Sequence, residues 1–152
     1  MTDVSALRGL WRVWLPVLLF VGLAGCGGSA ERPDLGYVSG TVKMNGEPVK
    51  NINVVMKPLE GRAASGVTDD NGYYEVEYTL DEKGTKVGPT TVSLEWPHGF
   101  TPTFPLSDRY SAEKSSLKLD VQPGDNTFDI PLEPESPEEA ARRKKRGDFI
   151  VD

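Results

Sequence analysis

The chain of 152 residues carries one cysteine and one histidine. A single thiol, Cys26, leaves no partner for an internal disulfide, so a stapled extracellular scaffold is excluded. A single imidazole, His98, sits in Trp96-Pro97-His98-Gly99-Phe100, which has loop chemistry and no nucleophile motif beside it. A Ser-His-Asp site needs a base held by a carboxylate, and a zinc site needs three or four convergent ligands. The sequence supplies neither, so no catalytic residue, no metal and no cofactor of the usual kinds is expected, and the chain does not read as an enzyme. Long apolar helical periodicity is also missing, and no apolar run approaches the ~20 residues that a bilayer requires. Basic residues are outnumbered, 17 against 23, which argues against nucleic acid as a partner.

The first residues have their own pattern. Arg8 and Arg12 precede a short apolar stretch from Val13 to Ala24, and small residues lead to Cys26. A positive start, an apolar centre of ~12 residues and a small-residue zone make a secretory signal segment, here 1–25. Leu23-Ala24-Gly25-Cys26 resembles the lipobox of bacterial lipoproteins. The resemblance implies cleavage before Cys26, a diacylglycerol thioether on its sulfur and a further acyl chain, palmitate for example, on the new amine. A membrane is then the first expected partner, because two or more acyl chains anchor stably where one binds marginally. Gly27, where the family's retention signal would place Asp, implies the outer membrane in preference to the inner. Residues 26–35 read as a lipidated tether: small residues, then Glu31, Arg32, Pro33 and Asp34.

From Gly36 the hydrophobic period is two. Val38, Gly40, Val42 and Met44 share a face. Ile52, Val54 and Met56 follow, then Tyr74, Val76, Tyr78 and Leu80, then Thr90, Val92, Leu94 and Trp96. Leu117, Leu119 and Val121, and finally Phe128, Ile130 and Leu132, complete the set. Asn45-Gly46, Asp69-Asp70-Asn71-Gly72 and Pro123-Gly124-Asp125 separate these runs with turn chemistry. About seven strands, each with one apolar face, predict an all-β sandwich over 36–132.

Gly40-Thr41-Val42, Asn45-Gly46-Glu47-Pro48-Val49 and Ile52-Asn53-Val54 resemble the opening of carboxypeptidase regulatory-like domains. Val67-Thr68-Asp69-Asp70-Asn71-Gly72-Tyr73-Tyr74 is similar to their aspartate–glycine–aromatic turn. Gly88-Pro89-Thr90-Thr91-Val92-Ser93-Leu94 stands where they carry a late strand, with Pro89-Thr90 departing from the usual aromatic. Arg109-Tyr110, Ser116-Leu117 and Asn126-Thr127-Phe128 resemble the closing half of small lipoproteins with this domain. The resemblance implies a transthyretin-like or Ig-like seven-stranded sandwich without catalysis.

Three local features ask for a role. The turn at Asp69 has acidic residues, but a calcium loop would need a bidentate Glu at its twelfth position, which is Leu80. Lys50 is the one lysine in phase with inward residues, the arrangement a self-made Lys–Asn isopeptide would need; Lys43 points outward. The connection 96–110 holds Trp96, Phe100, Phe104 and Tyr110 among prolines. Its rings either close an open end of the sandwich or present a face for a glycan, a peptide or an envelope protein.

Residues 133–152 form a charged tail. Ser136-Pro137-Glu138-Glu139 is a capping box with Pro at the first helical position, and Gly147 is a stop. The helix expected between them ends in Arg142-Arg143-Lys144-Lys145-Arg146, a run suited either to solvent or to an anionic surface.

Overall fold

A computed structural model describes residues 33–147. The signal segment 1–25, Cys26 and most of the tether lie outside the described residues, as do Phe149, Ile150 and Val151. The described chain is an all-β sandwich with one short C-terminal helix.

The first strand, β1 (Leu35–Met44), organises everything else. Its inward residues Val38 and Val42 are fully buried, and polar residues alternate with them. Asn45 and Gly46 then both take positive φ, 53° and 87°, which closes a two-residue hairpin onto β2 (Glu47–Pro48). The strands that follow are β3 (Asn53–Pro58), β4 (Ala64–Val67), β5 (Tyr73–Glu75) and β6 (Glu77–Thr79). Next come β7 (Glu82–Lys83), β8 (Thr85–Lys86) and β9 (Gly88–Glu95). After the long connection come β10 (Lys118–Val121), β11 (Gly124–Thr127) and β12 (Ile130–Leu132).

One sheet is built around β1. It pairs in parallel with β11 and β12, and antiparallel with β2, β5 and β8. The other sheet runs β10-β9-β3-β4-β6-β7, all antiparallel. Ile52, Val54, Met56, Val92 and Leu94 meet Val38, Val42, Tyr74, Val76 and Ile130 between them.

The expected seven strands are twelve segments, because the run 73–79 is divided between the sheets and the short strands β2, β7, β8 and β11 are added. The run 73–79 leaves the first sheet at Val76 and continues as β6 in the second. At the crossing, Val76 N–H donates to the Val38 carbonyl at 3.0 Å. The return run crosses back at Gly84 (φ 108°), where a Cβ would lie 2.4 Å from the Gly36 carbonyl oxygen. This excursion overturns one expectation. Leu80, in phase with Tyr74 and Val76, is 96% exposed at the β6–β7 tip. A strand that changes sheets carries its alternation past the end of the core, so parity stops reporting burial.

β11 and β12 keep one register along β1, from Gly36↔Gly124 to Met44↔Leu132. Between them the Phe128 N–H donates to the Ser39 carbonyl at 2.9 Å, and side chains complete the ladder. Asp129 Oδ1 accepts from Thr41 N at 2.7 Å and Thr41 Oγ1 at 2.9 Å. The Phe128 carbonyl instead accepts from the buried Tyr74 hydroxyl at 2.6 Å. Burial pushes that phenol's pKa well above its ordinary value. Gly40 permits the approach, since a Cβ there would meet the Phe128 oxygen at 2.1 Å.

Strand directions give the sandwich two ends. Asp34, the β3–β4 loop, the β6–β7 tip and the β10–β11 turn lie at the near end, where β1 begins. The Asn45-Gly46 hairpin, the Asp69 turn and the connection after Glu95 lie at the far end. The strand between them spans ~33 Å at about 3.3 Å per residue.

Removing the Tyr74 hydroxyl leaves the half-buried Phe128 carbonyl without this partner. Tyr74→Phe should therefore cost about 1–3 kcal/mol in urea unfolding. Gly40→Ala, which must push two backbones apart, should cost at least about 1–3 kcal/mol. Unchanged midpoints in both would rule out this contact as the tie between the chain's first and last strands.

Candidate functional site

The far end contains the aromatic connection. Trp96 leaves β9 and half-buries its indole against the core. The Phe100 N–H donates to the Pro97 carbonyl at 3.0 Å, and Gly99 takes φ 80°. This tight turn folds Phe100 back onto Trp96, with centroids 5.6 Å apart and planes 11° from parallel. Phe104 meets the same indole edge-on, at 5.1 Å and 73°. Tyr110 is buried, and its hydroxyl accepts from the Glu133 N–H at 2.8 Å.

The four rings singled out from sequence therefore divide. Trp96, Phe104 and Tyr110 close the end of the sandwich, as the capping alternative expects. Phe100 is the most open of them, at 37% exposure, and is stacked on the Trp96 indole. The buried indole N–H of Trp96 finds no hydrogen-bond partner among the described residues. Beside the rings, Met44, Pro48, Val49, Thr103 and Phe104 line a groove of about 360 Å³, with Lys50 and Glu47 at its margin. The proximity of the Asn45-Gly46 hairpin to Phe104 was not readable from sequence, because about sixty residues separate them.

The tail helix α1 (Pro137–Arg146) forms with its capping box intact. Ser136 Oγ accepts from Glu139 N–H at 3.2 Å, and Glu139 Oε2 accepts from Ser136 N–H at 2.9 Å. Gly147 closes it in the left-handed conformation, φ 75°. None of its residues is buried, so polar contacts attach it. Glu139 Oε1 accepts from the buried Ser107 hydroxyl at 2.9 Å. Ser107 starts the 3-10 turn Asp108–Tyr110. Arg109 pairs with Glu133, and Arg146 lies 3.9 Å from Asp108. Arg143 grips Glu135 at 3.1 Å. The basic run is thus partly committed to the protein's own acids. Neither Ser107 nor Glu135 was foreseen; the capping box was the only local signal pointing to this contact.

The backbone N–H of Ser136, opposed by some desolvation and aided by the Ser107 hydroxyl, holds the Glu139 carboxyl down at about 2. Lys114 at 2.5 Å holds Asp108 below the usual carboxylate range, again against some desolvation.

Other sequence candidates fall elsewhere. Cys26 lies outside the described residues. His98 is exposed on the aromatic loop. Asp69 Oδ1 accepts from the Asn71 and Tyr73 N–H groups at 2.8 Å each, which makes it the turn's own staple. Lys50 is exposed and pairs with Asp70 at 3.3 Å, which removes the inward placement an isopeptide requires. On the outer face of β1 and β5, Tyr37 and Lys83 both donate to Glu75, with Tyr73 at 3.2 Å. Lys83 and Tyr37 hold the Glu75 carboxyl below its ordinary range. This cluster is a cross-strand fastening on an open surface.

No family model matches the chain, and no curated protein matches it. Among solved structures, it is similar to a DUF3823 family protein from Parabacteroides merdae, at 10% identity and a TM-score of 0.45. The match covers 68% of this chain and 48% of that one, so the chain spans about half of that protein's length.

The rings separate by substitution. Phe104→Ala should lower stability by about 2–3 kcal/mol, and Phe100→Ala by about 1 kcal/mol or less. Equal losses in thermal unfolding would show that Phe100 is structural too. The tail has a pH signature. Glu139 falls from an ordinary 4.5 to about 2 on folding, so its stabilisation is complete above pH 4.5 and is lost as pH drops towards 2. Amide-exchange protection of α1 should fade over that window, and Glu139→Gln should reduce it at neutral pH. Equal protection in both proteins at neutral pH would remove Glu139 as the docking group.

Proposed function

We propose that this chain is a lipid-anchored envelope protein whose non-catalytic sandwich binds or scaffolds other envelope components at its far end. What carries the reading is the polarity of the domain. The tether residue Asp34 enters at one end, where its carbonyl accepts from the Val87 N–H at 2.9 Å. The stacked Phe100 and the groove beside Phe104 lie at the other, ~33 Å away along β1. A lipid on Cys26 would therefore be joined to the domain through the end opposite its aromatic rings. Outer membrane placement follows from Gly27 by the same lipoprotein resemblance. Among the described residues no helix is long and apolar enough to cross a membrane.

A second reading has its own support. A flat ring held parallel to an indole beside a shallow groove suits a sugar face or an extended peptide, with Phe100 as the contact. In that case the domain is a glycan- or peptide-binding module.

The anchor is tested by mass spectrometry of the mature chain and by fractionation of Cys26→Ala. Acylated Cys26 and release of the variant from membranes are expected; an unmodified thiol overturns the anchor. The far end is tested by a photo-crosslinking residue at position 100 in intact cells, alongside a glycan array. Envelope adducts support scaffolding. Array binding lost in Phe100→Ala with unchanged melting supports the second reading, and substrate turnover by the purified chain would sink both.

A further inference from the structure

The near end carries an anomaly that a binding role at the far end does not use. Leu59 is 83% exposed and Leu80 is 96% exposed, the two most open large apolar side chains among the described residues. Both stand in loops, where polar residues usually serve the turn. Both loops leave strands of one sheet at the end where β1 begins: Leu59 follows β3, and Leu80 joins β6 to β7. They are not loose. Leu59 N–H donates to the Pro89 carbonyl at 3.0 Å. The Arg62 guanidinium lies over the Tyr78 ring at 5.2 Å, which ties the first loop to the strand that feeds the second.

Chemistry around the leucines is mixed in sign. Lys86 pairs with Glu60 at 3.6 Å, and Lys83 pairs with Glu75. Long basic side chains can lay their stems on apolar surface while the charge stays wet, which suits a membrane interface. The chain itself points to the occupant. Asp34 is hydrogen-bonded to Val87 at this same end, and between it and Cys26 lie seven residues, Gly27–Pro33. Eight residue steps separate the two, and fully extended these reach at most about 28 Å, so a lipid on Cys26 would keep the leucines within reach of headgroups.

We infer that the near end rests on the bilayer, with Leu59 and Leu80 inserted at the headgroup–acyl boundary as two apolar feet beside the lipid anchor. The inference rests on the proposed acylation of Cys26 and adds an orientation to it. Leucine moved from water to acyl chains is favoured by its apolar area, and the feet fix which way the domain stands. Because charges nearby are of both signs, the contact needs no anionic lipid.

The test uses the full chain from a lipidating host, in phosphatidylcholine vesicles. Leu59→Cys, Leu80→Cys and, at the far end, Asp70→Cys each receive a nitrobenzoxadiazole label. The wild-type chain is treated first: acylated Cys26 takes no label. Probes at 59 and 80 should shift to the blue, lose iodide quenching and be quenched by doxyl lipids, while the probe at 70 stays wet. If Cys26 resists label but all three probes are equally wet, the anchor stands and the feet are overturned. If protection at 59 and 80 rises with protein density and doxyl lipids do not quench, a second copy covers the leucines and the inference also falls. A wild-type chain that labels at Cys26 removes both readings.

Discussion

A single strand hydrogen-bonded along both edges holds this domain together. β1 accepts β11 and β12 in parallel on one side and three antiparallel partners on the other. That position joins the two extremes of the described chain, so the domain closes only when residues near 130 have been made. The bond from Tyr74 to the Phe128 carbonyl, with the close approach at Gly40, ties β1 and β5 to the segment that joins β11 to β12. Parallel pairing between sequence-distant strands carries a large loop-closure cost, which the surrounding hydrophobic core must offset.

The same strand gives the molecule its axis. What enters at Asp34 and what gathers after Glu95 are kept apart by the length of β1, because strand pairing propagates direction across both sheets. The far end is finished by three rings and by a helix that has no buried residue. That helix is too short to persist alone. It is held by a carboxylate serving two elements at once, its own N-terminus and the Ser107 turn. An attachment made of ion pairs and hydrogen bonds can open without exposing core, unlike the rings beneath it.

Local signals in the sequence were reliable where a physical requirement was local. Asn45-Gly46 met the backbone demand of a tight hairpin, Asp69 supplied its own turn, and Ser136 with Glu139 capped a helix. Alternation located Val38, Val42, Val54 and Ile130 in the core. It failed at Leu80, where the strand had already left the sheet it began in, and it softened at Leu117, Leu119 and Phe128, which are only half-buried.

By itself the sequence determined the class: an all-β sandwich, its main turns and its capped tail, because each follows from side-chain period or from backbone constraints a few residues long. Tertiary structure alone decided the strand exchange between sheets, the parallel closure of first strand on last, and the division of the four rings into three that seal and one that stays open. It alone placed the groove against a hairpin from the other end of the chain, and gathered Leu59 and Leu80 at the tether's end. These depend on which sequence-distant surfaces meet, and contacts of that kind leave no period or spacing along the chain.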